Sequence, residues 1–445
     1  MKIRINKMGI NGEGIGYFNR LPVFIEGVLK DELVEAKITE RHGNYAKAEC
    51  IKIIEKSRDR IKPVCQYYGK CGGCQLLHMG YYGQLEYKYE TLAESLEKYA
   101  GIDGEMVEDV RPNPNPLGYR NSLKLPVFEQ HHKLVCGLYE TNSNHMIEVD
   151  QCAIHEDGLE RVKKNVLNVL NKYHYHAYDK QTKKGIKGIF LRVLDNHFQL
   201  CLVTGETRIL KETIDDLGKI QNLVSIYQSI HTTKSHEFFG KQMIHLYGSK
   251  YLIFKLGDLK LNLSTRSFFQ LNTAQAQNLY QFVVDNVKDN QDFIFEAYSG
   301  IGAISLMLKD KAHRIMGVES IADAVANANM NARNNHIDHV HFVCDDAAVA
   351  LKHYSKKHKI DTLVVDPPRV GLDDNMLETI LRSKIDDIIY ISCNPATLAK
   401  NLAVLSQRYQ VTRIVPFDIF SQSAHVETVC VLTKKNSNHK TKPQA

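Results

Sequence analysis

The sequence contains no long apolar stretch. No uninterrupted apolar run approaches the roughly 20 residues that a membrane-spanning helix needs. The first residues, MKIRINK, also lack the apolar segment of a signal peptide. We therefore expect a cytoplasmic protein with no membrane partner. Because the cytoplasm keeps thiols reduced, we do not expect the 10 cysteines to form a disulfide framework.

A strong excess of one charge sign is missing as well. The formal net charge is +6, which permits an anionic partner without requiring one. A chain of 445 residues is too long for one hydrophobic core, so we expect about two to four domains. Residues 438–445, which include Lys440 and Lys442, predict a disordered basic tail. No feature indicates an obligate protein partner.

The N-terminal part predicts a small β-barrel of the OB type over residues 1–57. Short alternating apolar runs are separated there by glycines, and such barrels often bind nucleic acids. The segment Gly12-Glu13-Gly14-Ile15-Gly16 is interpreted as a hairpin, because no helix follows it. Residues 58–258 predict a mixed α+β central domain, with a helix from Gln84 to about Tyr99.

Regular alternation of strands and helices begins at about residue 259 and predicts an α/β domain over 259–437. Five short apolar runs have the continuous hydrophobicity of strands that are buried on both faces: Phe293–Phe295, Ile315–Val318, Val340–Val343, Thr362–Val365 and Ile388–Ile391. The expected fold class is a doubly wound, Rossmann-like α/β sheet. Its ligands should lie outside the carboxyl ends of the strands.

Polar residues follow four of these strands in succession. A Gly-x-Gly turn at Gly300 and Gly302 follows the first strand, and Glu319, Asp346 and Asp366 follow the next three. The carboxylate of Glu319 could accept hydrogen bonds from ribose hydroxyls. The complete Gly-x-Gly-x-x-Gly fingerprint is absent, which argues against NAD. We therefore expect a different cofactor that carries a nucleoside.

Three clustered cysteines form a second motif. Cys65, Cys71 and Cys74 are separated by five and then two residues, and the last two enclose Gly72-Gly73. Clustered thiols in a cytoplasmic protein favour a metal centre, although the spacing alone does not distinguish zinc from an iron–sulfur cluster. A fourth ligand is needed, and Cys136 and Cys152 are the candidates.

The third motif set lies near the C-terminus. Asp366-Pro367-Pro368-Arg369 precedes Ser392-Cys393-Asn394-Pro395, and His425-Val426-Glu427-Thr428 follows. A thiol and carboxylates at strand ends can act as a nucleophile and a proton acceptor on one substrate.

In these motifs the chain resembles the RNA uracil-C5-methyltransferase family, in its bacterial 23S ribosomal RNA branch. The resemblance covers nearly the whole length, and the N-terminal barrel is similar to that family's RNA-binding TRAM domain. It implies S-adenosyl-L-methionine as the cofactor, a 4Fe-4S cluster, and 23S ribosomal RNA as the partner. The family's usual Asp-Leu-Tyr-Cys-Gly segment is Glu296-Ala297-Tyr298-Ser299-Gly300 here.

The resemblance also implies roles for single residues. The implied cluster ligands are Cys65, Cys71, Cys74 and Cys152, which leaves Cys136 as an ordinary thiol. The implied cofactor contacts are Gln270, within Ser267-Phe268-Phe269-Gln270-Leu271-Asn272, and Tyr298, Glu319, Asp346 and Asp366. Cys393 and Glu427 match the family's nucleophile and base.

The chemistry explains why these residue types are needed. C5 of uracil is a poor nucleophile, and addition of the Cys393 thiolate to C6 turns the ring into an enolate. The C5 proton must leave before the thiol is eliminated, and Glu427 is the expected base. The target base must leave its RNA fold, and Phe268 or Phe269 could stack in the vacated space.

Three other functions fit parts of this pattern. Cytosine-C5 methyltransferases resemble this pattern but place a cysteine after the fourth strand, where this chain has Pro367-Pro368-Arg369. Amino-group methyltransferases need no thiol and would leave Cys393 without a role. A non-enzymatic RNA-binding or iron–sulfur sensing protein would need neither Cys393 nor Glu427. Transfer RNA is the alternative substrate.

Overall fold

The computed structural model of the protein describes residues 1–140, 143, 145–234 and 237–435. The chain forms two compact units. The first comprises Met1–Gln84, Pro114–Ala274 and Ser421–Ala424; the second comprises Leu85–Asn113, Gln275–Phe420 and the chain from His425 onward. The predicted domain boundaries after residues 57 and 258 stay a prediction. The predicted tail at 438–445 lies outside the described residues.

A closed barrel begins the first unit, as predicted. Its strands, in the spatial order β1-β2-β3-β5-β4, are β1 (Lys2–Met8), β2 (Gly14–Phe18), β3 (Leu21–Ile25), β4 (Leu33–Arg41) and β5 (Ala46–Glu55). Alternate residues such as Ile3 and Ile5 point into its core. A Cβ atom at Gly16 would lie 2.3 Å from the Ile3 side chain, so glycine is what lets the β1–β2 hairpin close.

A seven-stranded sheet in the order β12-β11-β10-β9-β6-β7-β8 forms the rest of the first unit, together with a hairpin of β13 and β14. The strands are β6 (Ser122–Gln130), β7 (Lys133–Tyr139), β8 (Met146–Glu148), β9 (Ile186–Leu194), β10 (His197–Thr204), β11 (Leu223–Ile230), β12 (Gln242–Gly248), β13 (Leu252–Leu256) and β14 (Leu259–Leu263). Helices α2 (Leu159–Lys172) and α3 (Lys211–Gly218) bury their apolar residues in a core with Leu123 and Leu191 of the sheet.

Two further helices each begin in the first unit and continue into the second. They are α1 (Tyr81–Ala100) and α4 (Thr273–Asn286). The first confirms the helix that was predicted from Gln84, and it begins three residues earlier. A short 3-10 turn at Gly104–Met106 follows it.

The second unit contains the predicted doubly wound sheet. Its strands are β15 (Gln291–Ala297), β16 (Ala312–Glu319), β17 (Val340–Cys344), β18 (Ile360–Val365), β19 (Ile385–Ser392), β20 (Tyr409–Phe417) and β21 (Glu427–Lys434). The connecting helices are α5 (Ala303–Met307), α6 (Ala322–Asn334), α7 (Ala347–Lys357), α8 (Asp374–Arg382) and α9 (Pro395–Leu405).

The strand order of this sheet is β17-β16-β15-β18-β19-β21-β20. Strands β15 to β19 are parallel, and β21 runs antiparallel to both of its neighbours. The order reverses between β15 and β18, which is where doubly wound sheets bind their ligands. Buried rings such as Phe293, Phe295 and Tyr390 fill the core. Among the described residues, no helix is both long and apolar enough to cross a membrane.

Candidate active site at the carboxyl edge of the second sheet

Strand register brings the predicted motifs of the second unit to one edge. Ala297 at the end of β15 pairs with Val318 on one side and with Val365 on the other, and Val365 pairs with Tyr390. The residues that end or follow these strands therefore reach the same edge. They are Tyr298, Glu319, Asp346, Asp366 and Cys393.

Glu427 joins this edge because β21 runs in the opposite direction. It is the first residue of β21, and its neighbour Thr428 pairs with Ser392, the last residue of β19. Cys393 and Glu427 therefore flank a directly paired position on adjacent strands. The predicted nucleophile and base lie next to each other although 34 positions separate them in the sequence.

The turn after β15 has a strained backbone. Tyr298 has a φ of 65°, in the left-handed region that bulky residues avoid. Such a conformation costs on the order of 1 to 3 kcal/mol and is concentrated at functional sites. At Gly302, also left-handed with a φ of 81°, a Cβ atom would lie 2.3 Å from the Phe342 ring. Glycine at this position lets the turn lie close against the sheet.

Two carboxylates organise the neighbouring strand ends. Glu319 accepts hydrogen bonds from the backbone N–H of Gly300 at 3.1 Å and of Ile321 at 2.9 Å. Its position beside the glycine turn suits a carboxylate that receives ribose hydroxyls. Asp346 caps α7 by accepting from the Val349 N–H at 3.0 Å. Burial, followed by the charges of Asp373 and Asp346, raises the pKa of Tyr298 to about 12.

Glu296 stands where the family usually has an aspartate, at the first residue of the turn segment. Its buried carboxylate accepts hydrogen bonds from the Ser305 N–H at 2.9 Å and from the Ser305 hydroxyl. It thereby satisfies a backbone donor in the first turn of α5. Burial raises its pKa to about 8, so the group holds a proton at neutral pH. Through Ser305, Glu296 connects the end of β15 to the first turn of α5.

Glu427 is buried and Asp366 is partly buried, and the two carboxyl groups lie near enough for the charge of Asp366 to act on Glu427. Burial raises the pKa of Asp366 to about 7. Burial, and next the Asp366 carboxylate, raise the pKa of Glu427 well above its usual range, while Arg369 opposes the shift. Burial, and next Glu427, raise the pKa of the Cys393 thiol to about 11, so the sulfur is protonated at neutral pH.

A buried asparagine that sequence reasoning missed holds the loop after Asp366. Asn401 Oδ1 accepts from the Leu372 N–H at 2.9 Å and from the Tyr390 hydroxyl at 2.7 Å, and its Nδ2 donates to the Leu372 carbonyl at 3.1 Å. Asn401 is a polar residue on the apolar face of α9, beside Leu398 and Leu402. That pattern is the signal that could have identified it.

Asn394 connects the same loop to Cys393, the predicted nucleophile. It caps α9 by accepting from the Ala396 N–H at 3.1 Å, and Pro395 begins the helix with the φ that a first turn needs. Its Nδ2 donates to the Arg369 carbonyl at 3.2 Å. Arg369 in turn lies 3.0 Å from Nδ1 of His425. The three catalytic motifs are thus linked by hydrogen bonds.

Gln270 and the cysteines belong to the first unit. Gln270 is buried, and its carbonyl accepts from Asn121 Nδ2 at 2.8 Å. Of the two phenylalanines before it, Phe269 packs in the core against Phe254, whereas Phe268 is 70% exposed. Only Phe268 therefore presents a ring for stacking.

The structure brings Cys65, Cys71, Cys74 and Cys152 together. Burial, and next the charges of Cys152, Cys71 and Cys65, raise the pKa of the Cys74 thiol to about 12. The groups that act on the pKa of Cys136 are Lys163, Glu160 and Glu148, so Cys136 lies apart from the other four. Among the described residues, no three potential ligands are placed to hold a single metal ion.

The fold and its ligand edge define a class: this is an α/β enzyme of the S-adenosylmethionine-dependent methyltransferases. The family model for tRNA (uracil-5-)-methyltransferases matches residues 80–435, and the TRAM domain model matches residues 1–51. The chain belongs to the tRNA (uracil-5-)-methyltransferase family and carries an N-terminal TRAM domain. It is therefore an RNA uracil-C5 methyltransferase.

Two relatives and one solved structure illustrate the similarity. The chain is 35% identical to an uncharacterized RNA methyltransferase of Clostridium tetani, over 96% of this chain and 95% of that protein. It is also 35% identical to one of Bacillus anthracis, over 97% and 96% respectively. The structure of the Pyrococcus abyssi tRNA (uracil-54, C5)-methyltransferase, in complex with S-adenosyl-L-homocysteine, matches with a TM-score of 0.79 and 25% identity, over 97% of this chain and 99% of that one.

The raised pKa of Asp366 predicts a pH-dependent loss of stability. Between its ordinary pKa of 3.8 and about 7, the unfolded chain releases the Asp366 proton while the folded protein keeps it. The folded state then binds more protons, so the free energy of unfolding falls as pH rises through this window. We expect Asp366→Asn to become more stable than the wild type from pH 4 to 7, by at most about 4 kcal/mol, with no further gain above pH 7.

Urea unfolding of the ligand-free protein, followed by circular dichroism at several pH values, measures this difference. Asp310→Asn, at a side chain that is 86% exposed, is the matched control and should show no such trend. A difference between Asp366→Asn and the wild type that stays constant over the window would contradict the prediction.

Proposed function

We propose that this protein is a cytoplasmic enzyme that methylates C5 of a specific uridine in 23S ribosomal RNA, through a covalent bond between Cys393 and C6. The observation that carries the proposal is the placement of Cys393 and Glu427 beside the paired residues Ser392 and Thr428. In this proposal residues 1–57 bind RNA, residues 58–258 carry a metal cluster and residues 259–437 perform the catalysis.

Bound S-adenosylmethionine supplies an electrophilic methyl group. The proposed contacts of this chain with it are Gln270, Tyr298, Glu319, Asp346 and Asp366. The edge fits a nucleoside because it combines the strained turn at Tyr298 with the Glu319 carboxylate beside the Gly300 amide. Backbone that approaches closely and a carboxylate for ribose hydroxyls are the features that such ligands need.

The residues of the chain handle protons and covalent bonds as follows. The partly exposed Cys393 thiol releases its proton to solvent as its sulfur bonds to C6, which makes the ring an enolate that takes the methyl group at C5. Glu427, in its ionised form, then removes the C5 proton, and the ring expels the Cys393 sulfur. Because burial raises its pKa, Glu427 is a stronger base than an ordinary glutamate. Asp366 orients the pyrimidine or the cofactor, since the two prolines restrict its backbone.

A second substrate is favoured by a specific observation. The family model and the Pyrococcus abyssi structure are both described as transfer-RNA methyltransferases. For this chain we propose ribosomal RNA from the cysteine group, which the family resemblance associates with the 23S branch. The barrel does not discriminate, because the Pyrococcus abyssi match covers 97% of this chain. Transfer RNA is therefore the alternative substrate.

Mapping of 5-methyluridine separates the two substrates. In a strain that lacks this protein, we expect one or more sites in 23S ribosomal RNA to lose the modification completely, while transfer RNA keeps it. Mass spectrometry of nuclease digests of each purified RNA measures both. Loss confined to transfer RNA would reverse the assignment, and complementation with the wild-type chain is the control.

Replacement of the nucleophile tests the mechanism. Cys393→Ala should reduce methyl transfer to 23S ribosomal RNA by at least about a thousandfold, because the enolate can no longer form. RNA binding should persist. Glu427→Gln should accumulate a methylated covalent RNA–protein complex, because the C5 proton is not removed and the thiol cannot leave.

Incorporation of labelled methyl groups and denaturing gel electrophoresis measure these effects. Cys344→Ala, at an exposed cysteine, is the matched control and should keep wild-type turnover. Unchanged turnover in Cys393→Ala would disprove the mechanism.

The proposed metal centre is a 4Fe-4S cluster bound by Cys65, Cys71, Cys74 and Cys152. Support comes from the proximity of these thiols, since Cys65 and Cys152 both act on the pKa of Cys71 and of Cys74, whereas no thiol acts on the pKa of Cys136. In such a cluster each cysteine binds a different iron atom, so the four sulfurs need not converge on one point. When bound, the cluster would link the Cys65–Cys74 segment to Cys152.

Metal analysis after anaerobic purification tests the cluster. We expect a brown protein with about four irons per chain, as Cys₄ ligation of a 4Fe-4S cluster requires. Cys152→Ser should lose most of the iron, whereas Cys136→Ser, the matched control, should retain it. A colourless protein that contains one zinc would refute the assignment.

A further inference from the structure

The seven-stranded sheet of the first unit places two cations around one aromatic ring. In the register of β6 and β9, Lys124 pairs with Phe190 and Ser122 pairs with Arg192. Directly paired residues share a face, so Lys124, Phe190 and Arg192 lie together, on the face away from α2 and α3. The intervening Leu123 and Leu191 belong to the core that those helices cover.

The distances show how closely these groups are placed. Lys124 Nζ lies 5.9 Å from the centre of the Phe190 ring and 5.4 Å from that of Phe239, and Arg192 Cζ lies 5.2 Å from the Phe190 ring. Phe239 meets Phe190 and Phe238 edge-on, each at 5.4 Å. We call Lys124, Phe190, Arg192 and Phe239 the Lys124 platform.

The positive charges of the platform have no acidic partner among the residues that the structure describes. Within the described part of the chain, no carboxylate forms an ion pair with Lys124, Arg192 or Arg120. Lys124 is exposed, but its packing against the rings removes part of its hydration. This desolvation, followed by the charges of Arg192 and Arg120, lowers the pKa of Lys124. Neighbouring like charges repel, so this arrangement becomes favourable when an anion binds.

The two cations have different tasks. Arg192 is buried and donates to the Ser264 carbonyl at 3.2 Å and to the Ser267 carbonyl at 2.7 Å, so it fixes the turn that leads into the exposed Phe268. The exposed Lys124 contacts aromatic rings but, among the residues described, no hydrogen-bond acceptor. Its three N–H groups are available to a ligand.

We propose that Lys124, backed by Arg192 and Arg120, binds a phosphodiester of the RNA substrate, and that the half-buried Phe239 ring supports a neighbouring base. This inference rests on the proposed function and adds a contact to it. Cations interleaved with aromatic rings are how proteins hold single-stranded nucleic acid, because phosphates take the charge and bases stack on the rings. An acidic peptide would interact with the positive charge but would place no base on the aromatic rings.

The salt dependence of RNA binding tests this proposal. Lys124→Gln keeps most of the aliphatic stem over Phe239 but removes the charge. For a fluorescein-labelled single-stranded RNA 20-mer, we expect the slope of log affinity against log salt concentration to become shallower by about 0.7, the value for one phosphate contact. Affinity at low salt should fall roughly threefold to tenfold, and Lys124→Arg should restore the slope.

Lys164→Gln is the matched control, because Lys164 is exposed on α2 and that helix covers the opposite face of the sheet. Phe239→Leu should weaken binding with an unchanged slope, since it removes stacking and no charge. Polyglutamate should compete with the RNA equally for the wild type and for Lys124→Gln. Competition that depends on Lys124 would instead assign the surface to an acidic protein and overturn the proposal.

Failure of the platform and failure of the proposed function give different results. If the wild type methylates 23S ribosomal RNA but Lys124→Gln keeps the wild-type salt slope, the platform is refuted and the function stands. If the wild type transfers no methyl group to that RNA but the slope still depends on Lys124, the platform stands and the function is refuted.

Discussion

Two carboxyl groups, the partly buried Asp366 and the buried Glu427, are the constraint on which the ligand edge depends. Neither is placed where water can stabilise its charge fully, and the Asp366 charge makes ionisation of Glu427 harder. Both groups therefore bind protons more tightly than ordinary carboxylates do. This costs stability, but it provides strong bases beside Cys393. Such a pair persists only if its backbone is held firmly, because otherwise the two groups would separate and hydrate.

The supports of this pair come from distant parts of the second unit. Asn401 holds the loop after Asp366 through the Leu372 backbone and the Tyr390 hydroxyl. The segment before Glu427 is held by a fully buried ion pair, in which Lys88 contacts Asp418 and also donates to the Phe420 carbonyl at 3.0 Å. An ion pair without solvent is costly to form but fixes one geometry, because loss of either partner leaves a buried charge.

The sequence predicted the sheet edge well, because each strand and the polar residue at its end are adjacent in the chain. It also predicted the closed barrel, whose alternation of apolar residues is local. It could not predict that Lys88, on a helix, pairs with Asp418 across 330 residues, since lysine is rarely fully buried. The left-handed conformation of Tyr298 was also missed. The glycines of this segment predicted a turn, but they did not indicate which residue has the strained backbone. The roles of the individual site residues stay a prediction.

The high pKa of Cys393 protects its sulfur from oxidation in the free protein. A solvent-exposed thiolate reacts with oxidants, whereas a protonated thiol is nearly inert. Glu427 and Asp366 raise the pKa of Cys393, while Arg369 lowers it. In the proposed mechanism a bound base changes this balance, because it replaces water at the edge and brings an electrophilic C6 to the sulfur. The charge of Glu427 raises the pKa of the free thiol. In the same proposal the ionised form of Glu427 accepts the C5 proton, so that one arrangement both protects the thiol and provides the base.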